Sequence, residues 1–276
     1  MRLLLFVGLL FLSPVVVAQD AAYRFPQGLP GILDVRDFGA IGDGVADDTE
    51  AIQAAIDESG GKDTEFVGIV YLPAGTYRLT GALVANRGRR GSGVGPWIWG
   101  ESRDSVVLKL DDQVNRGRKT DRATGREAAK ANGDPPPLVE VGDPNDPDQI
   151  VKSVLQLHPF EEGVKTSANW FMRNIRRLTI DVGDNPEVDG IRYYASNDGI
   201  LSDVSVIGAG AIGINCSMLG EAGPSLIQNV SVKGFATGIR SQWAYGQTMS
   251  GITIEDCRAA GLELAANVVG IENLTI

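Results

Sequence analysis

The sequence predicts an all-β chain wound as a right-handed parallel β-helix with a short N-terminal capping helix. Three observations predict it. Five segments near the C-terminus share an apolar–hydroxyl–apolar pattern: Leu178-Thr179-Ile180, Val204-Ser205-Val206, Val230-Ser231-Val232, Ile252-Thr253-Ile254 and Leu274-Thr275-Ile276. Their anchors Leu178, Val204, Val230, Ile252 and Leu274 stand 26, 26, 22 and 22 residues apart, a period that marks a solenoid. Between them runs a second series opened by glycine: Gly190-Ile191-Arg192, Gly213-Ile214-Asn215, Gly238-Ile239-Arg240 and Gly261-Leu262-Glu263. Period-2 alternation means strands with one buried face. No long helical segment separates them, so a βαβ sheet is disfavoured. Coils stacked about 4.8 Å apart by backbone hydrogen bonds satisfy the pattern.

In chain order, Arg2, the apolar run Leu3 to Leu12 and Val16-Val17-Ala18 form the three regions of a secretory signal, residues 1–18. The run is short for a spanning helix. Residues 19–276 are then one exported solenoid domain, secreted or periplasmic, with no membrane association after cleavage. A net charge of −10 without a clustered basic face excludes a nucleic-acid partner. Two cysteines give no disulfide framework. Cys216 and Cys257 fall two coils apart, roughly 9–10 Å, and read as packed thiols. His158 is the single histidine, followed by Pro159, and reads as structural.

The stretch Asp34 to Asp57, DVRDFGAIGDGVADDTEAIQAAID, places glycine turns before a helix. Asp47 and Glu50 form a capping box, with Asp48 and Thr49 as alternative caps. Ile52, Ala55 and Ile56 share one helical face, and Ser59-Gly60-Gly61 ends the helix. Such a helix covers the open end of a solenoid core. With Ile69-Val70-Tyr71-Leu72-Pro73-Ala74-Gly75-Thr76-Tyr77, this stretch closely resembles the N-terminal module of the pectate-lyase-like superfamily. Those right-handed β-helices include polygalacturonases and rhamnogalacturonases, alginate epimerases, phage tailspikes and family-55 glycoside hydrolases (exo-β-1,3-glucanases). The acids Asp43, Asp47, Asp48 and Glu50 suit a metal on paper, but capping and turn roles account for them.

The first coils continue through Tyr77-Arg78-Leu79, Trp97-Ile98-Trp99-Gly100 and Val106 to Leu110. Trp97 and Trp99 share one side of a strand, as an outward sugar-stacking surface or as core. The area they bury favours the core or end cap. Residues 111–149 break the rhythm with scattered Arg and Lys and two Pro-rich runs, and read as a polar insertion from one coil. The lead-in Asn169 to Ile175, followed by RRLTID and GIRYY, looks most like the corresponding coils of family-55 enzymes. That resemblance implies two tandem β-helices with the catalytic acid in the second. The last segment stops within a strand at Ile276, so the C-terminus is expected to be incomplete.

Alternation sets the outward residues. The first series exposes Thr179, Ser205, Ser231, Thr253 and Thr275, flanked by Asp181, Ile207, Lys233 and Glu255. The second exposes Arg192, Asn215, Arg240 and Glu263, which either pair across strands or bind sugar hydroxyls. Acids concentrate in DVGDNPEVDG, at Asp181, Asp184, Glu187 and Asp189. Glycosidic hydrolysis needs two carboxylates, and Asp181 and Asp189 are the candidates. Arg192, Tyr194, Arg240 and Trp243 are the candidate substrate-binding residues. No metal site is expected; calcium would enter only if the chain were a lyase or epimerase. Neither a polygalacturonase-type aspartate set with Gly-His-Gly nor an epimerase-type Asp-Pro-His-Glu is found. The functional expectation is an exported enzyme acting on a polysaccharide or oligosaccharide, by β-1,3-glucanase-like hydrolysis. The alternatives are a non-catalytic glycan-binding or structural β-helix, and a calcium-dependent lyase or epimerase.

Overall fold

The structure, a computed structural model, describes residues 24–26, 28–59, 68–85, 93–116, 150–157, 170–217, 223–242, 246–265 and 268–276. The expected signal, residues 117–149 of the polar insertion, His158 and Trp243 lie outside the described residues. Every strand pairing is parallel, and the two predicted series stack as expected. Leu178 pairs with Val204, Val204 with Val230, Val230 with Ile252 and Ile252 with Leu274. Ile191 pairs with Ile214, Ile214 with Ile239 and Ile239 with Leu262. The fold is an all-β parallel β-helix.

Each coil has three faces rather than the two that the repeats suggested. The long strands Asn174–Asp184, Ser196–Ala209, Gly223–Lys233, Gln247–Glu255 and Val269–Thr275 share a left-handed residue at one equivalent position. These are Arg177, Asp203, Asn229, Gly251 and Asn273, with φ of 59°, 55°, 51°, 65° and 51°. Each stands immediately before the apolar–hydroxyl–apolar rung. Asp, Asn and Gly tolerate this conformation best. It splits the strand into an earlier run, face A, and the rung, face B. It also resets side-chain parity: Ile175, Leu178 and Ile180 are all fully buried, which uninterrupted alternation would forbid. Face A carries its own inward column, in which Leu33, Val70, Ile98, Ile175, Leu201, Ile227, Met249 and Ile271 are successive partners. Asn229 and Asn273 thus serve the ladder, and Asn229 Nδ2 donates to Asp203 Oδ1 at 2.6 Å.

The second series forms face C, from Leu83–Val84, Ser153–Gln156, Asp189–Arg192, Ile212–Cys216, Thr237–Gln242 and Ala260–Ala265. Its opening glycines have a steric cause. A Cβ on Gly190, Gly213 or Gly238 would come within 3.0 Å of Val206, Val232 or Ile254, and of the carbonyl of the next glycine. No other residue fits between the face-B core and the coil beyond. Cys216 and Cys257 are free thiols.

The helix Thr49–Ser59 closes the N-terminal end. Asp48, rather than Asp47, is the cap: its carbonyl takes the first helical bond from Ile52 N, at 3.0 Å. Its carboxylate accepts from Ile41 N and Gly42 N, while Asp47 Oδ1 accepts from Thr49 N. Asp43 Oδ1 accepts from Val45 N and Ala46 N, so these acids hold turns. Gln53, 1% exposed, turns its amide onto the first strand of face C. Val84 N donates to Gln53 Oε1 at 2.8 Å, and Gln53 Nε2 donates to Val84 O at 2.9 Å. One side chain thus supplies the bonds that a preceding coil would make.

Two substitutions test this account by urea unfolding. Gln53→Leu orphans both Val84 groups and should cost about 1–3 kcal/mol per group. Gly213→Ala should cost about 1–3 kcal/mol by overpacking. A midpoint unchanged from the parent in either variant would remove the corresponding role.

Candidate functional site

The chain passes from face A to face B through a single left-handed residue in five coils. Where it leaves face C it runs through 86–92, 158–169, 218–222, 243–245 and 266–267, segments outside the described residues.

The polar column of face C runs Gln156, Arg192, Asn215, Arg240, Glu263, each paired with the next. The sequence placed Arg192 and Asn215 in solvent, and this is corrected: Arg192 is 7% exposed and Asn215 fully buried. The cause is Asp189, three residues before Arg192 on the same strand and 3% exposed. Arg192 Nε and Asn215 Nδ2 each donate to Asp189 Oδ2 at 2.9 Å. A carboxylate is tolerated here only because a charge and an amide meet it. Asn215 Oδ1 in turn accepts from Ser217 N at 3.0 Å and from the Ser217 hydroxyl. No described residue donates to Asp189 Oδ1. Two coils further, Arg240 Nε donates to Glu263 Oε2 at 2.6 Å and Thr237 Oγ1 to Oε1 at 3.0 Å. The Arg240 bond holds the Glu263 carboxyl below its ordinary pKa; burial opposes it and Thr237 assists it. This pair is more open, with side chains 30% and 36% exposed.

The other expected site residues are dispersed. Asp181 stands on face B, where Gly183 N donates to its Oδ1 at 2.9 Å and Lys109 Nζ lies 4.0 Å from its carboxylate. Asp181 and Asp189 therefore belong to different sheets, and the structure does not unite them on one face. Asp184 and Glu187 are exposed, while Asn185 is buried and stitches the turn to Asp111 O, Val182 O and Val114 N. The expected acidic cluster is thus a turn with one inward carboxylate. Among the described residues no three His, Cys, Asp or Glu side chains converge to hold a metal. Tyr194, expected to offer a stacking face, is 1% exposed and cannot do so from this position.

A second aromatic surface was misassigned by burial reasoning. Ile98 is the inward residue of its strand, and Trp97 and Trp99 point outward, half-buried, with rings stacked at 5.6 Å and 11°. Phe25 stacks on Trp99 at 5.9 Å, and the Arg176 guanidinium lies 5.3 Å from the Trp99 ring. Favourable ring–ring and ring–cation contacts hold these side chains at the surface of face A.

The class defined by these observations is a helix-capped parallel β-helix with a polar third face. Residues 32–134 match the family model described as Rhamnogalacturonase A/epimerase, pectate lyase-like. This N-terminal part of the chain is thus similar to the pectate-lyase-like superfamily. Mannuronan C5-epimerase AlgE5 of Azotobacter vinelandii is 46% identical over 82 residues, covering 29% of this chain and 8% of that enzyme. Glucan 1,3-beta-glucosidase of Cochliobolus carbonum is 22% identical over 260 residues, covering 82% of this chain and 28% of that protein. Among solved structures, pre-mature bacteriophage phi29 gene product 12 matches with a TM-score of 0.48 and 16% identity, over 87% of this chain and 33% of its own. This chain therefore spans only a minor part of its curated relatives. Among the described residues no helix is long and apolar enough to cross a membrane.

The two ion pairs of face C should respond differently to loss of the arginine. Arg192→Leu strands a buried carboxylate and should destabilise by about 3–5 kcal/mol. Arg240→Leu should cost at most about 1 kcal/mol. Urea unfolding of both variants checks the contrast; equal losses would contradict it.

Proposed function

We propose that the chain is the β-helix of an exported polysaccharide-acting enzyme, that its glycan lies along face C, and that Asp189 is a reacting carboxylate. The observation that carries this reading is the environment of Asp189. It is a buried carboxylate with Oδ2 held by two donors and no described donor to Oδ1. A carboxylate fixed at one oxygen presents the other in a defined direction, as proton transfer or nucleophilic attack requires.

Hydrolysis of a β-1,3-glucan is the favoured reaction. The similarity to glucan 1,3-beta-glucosidase covers 82% of this chain, so it includes the central coils wherever it begins. The similarity to AlgE5 occupies only 29%. Hydrolysis uses a second carboxylate on the other side of the scissile bond, and Asp181, held on face B, is not well placed to be it. Arg192 acts from beneath Asp189. Arg240, roughly 10 Å along the column, is open enough to donate to sugar hydroxyls, and Trp243 follows its strand as a stacking candidate. A lyase or epimerase reaction is the second reading, favoured by the 46% identity to AlgE5 and by the single inward carboxylate.

The test is turnover of laminarin, and of alginate for the second reading, by the full chain. Asp189→Asn should lower turnover at least about 100-fold, with Asp181→Asn within about 2-fold of the parent. Release of reducing sugar marks hydrolysis; ultraviolet-absorbing unsaturated products mark elimination. Parent-like turnover by a folded Asp189→Asn variant would sink the assignment.

A further inference from the structure

We infer that Asn215 is a positioning residue for Asp189, with Ser217 fixing which end of its amide meets the carboxylate. The inference rests on the reading of face C above. An asparagine can present either its NH2 or its carbonyl to a neighbour, and the carbonyl end would repel a carboxylate oxygen. Here the choice is made from behind. The Ser217 backbone N–H, at 3.0 Å, and the Ser217 hydroxyl both donate to Asn215 Oδ1. The carbonyl end is thereby occupied, and Nδ2 is left to donate to Asp189 Oδ2 at 2.9 Å. The whole relay is dry: Asp189, Asn215 and Ser217 are 3%, 0% and 7% exposed.

The relay crosses from one coil to the next, since Arg192 and Asn215 are direct partners on adjacent strands. Asp189 Oδ2 is therefore clamped from two coils, by Arg192 of its own strand and by Asn215 of the following one. Rotation of the carboxylate would break bonds on both sides. The neutral amide also separates Arg192 from Arg240 in the column. An arginine at 215 would place three cations in register, where like charges destabilise. Hydrogen bonding from an amide, rather than charge, is what this position supplies.

The experiment compares Asn215→Ser, Asn215→Asp, Ser217→Ala, Ser217→Thr and Asp189→Asn in the full chain on laminarin, with circular dichroism to confirm folding. Asn215→Ser should lower kcat by about 100-fold, as misplacement of a reacting group does, with KM little changed. Ser217→Ala should lower kcat less, and Ser217→Thr, which keeps the hydroxyl, should restore it. Asn215→Asp sets a second carboxylate against Asp189, so the acid limb of the kcat/KM profile should move to higher pH. If Asp189→Asn is inactive while folded Asn215 variants keep parental kcat and pH profile, the positioning role is overturned and the function stands. If the parent is inactive on laminarin, or Asp189→Asn is fully active, the proposed function fails and this inference with it.

Discussion

Each coil must bring its backbone back to the same place one strand spacing further along the axis, because its hydrogen bonds are made to its neighbours and not within itself. Most local choices in this chain serve that constraint. Face C passes so close to the face-B core that a Cβ cannot be accommodated, so glycine recurs at Gly190, Gly213, Gly238 and Gly261. The corner between faces A and B is turned by one left-handed residue, so Asp, Asn or Gly stands there in four coils of five. Arg177 is the exception, and the preceding coil adapts to it. The carbonyl of Arg177 occupies the space that a Cβ on Gly100 would need.

The same constraint creates an edge wherever a coil has no predecessor. A sheet edge leaves N–H and C=O groups without partners, which is costly when buried. Gln53 answers this with a primary amide, the one side chain whose donor and acceptor match a peptide group. Its bonds to Val84 replace a missing strand at that position. The capping helix therefore does two things at once: Ile52, Ala55 and Ile56 seal the core, and Gln53 completes the ladder.

Much of this was legible in the sequence, and the omissions share a cause. Anchor spacing gave the fold and the register of two faces, and the Asp34–Asp57 stretch gave the helix cap. Face A escaped notice because the left-handed residue resets side-chain parity. Ile175 and Leu178 lie three apart yet both point inward, which period-2 reading cannot detect. The recurring Asp203, Asn229, Gly251 and Asn273 were a signal for it. Trp97 and Trp99 were drawn toward the core by their size, whereas their own stacking and Arg176 keep them outside. The candidate site was legible only in part. Asp189 was picked for its acidic company, yet what distinguishes it is isolation from that company, with Asp181 on another sheet and Asp184 and Glu187 in solvent. Its partner Asn215, with Ser217 bonded behind it, comes from the next coil, and sequence distance hides such a contact.

Stacking also separates what holds the solenoid together from what it does. Residues that point inward are bound by coil-to-coil fit, so they vary little in character along the axis. Outward residues are bound only by their immediate neighbours in the column, and here they diverge. Lys233 meets Glu255 at 3.4 Å in the open, an arrangement of small energetic weight. Arg192 and Asp189 make a pair of similar chemistry under cover, where desolvation makes an unmatched charge expensive. An exposed pair can be lost at little cost to the fold, but a buried one must be retained whole or removed whole. Asp189 is retained with two polar side-chain partners in a place where a stacked aliphatic row would satisfy the ladder equally well. On a scaffold that serves many chemistries, a polar group kept against that pressure is the better guide to function than any acid in an exposed turn.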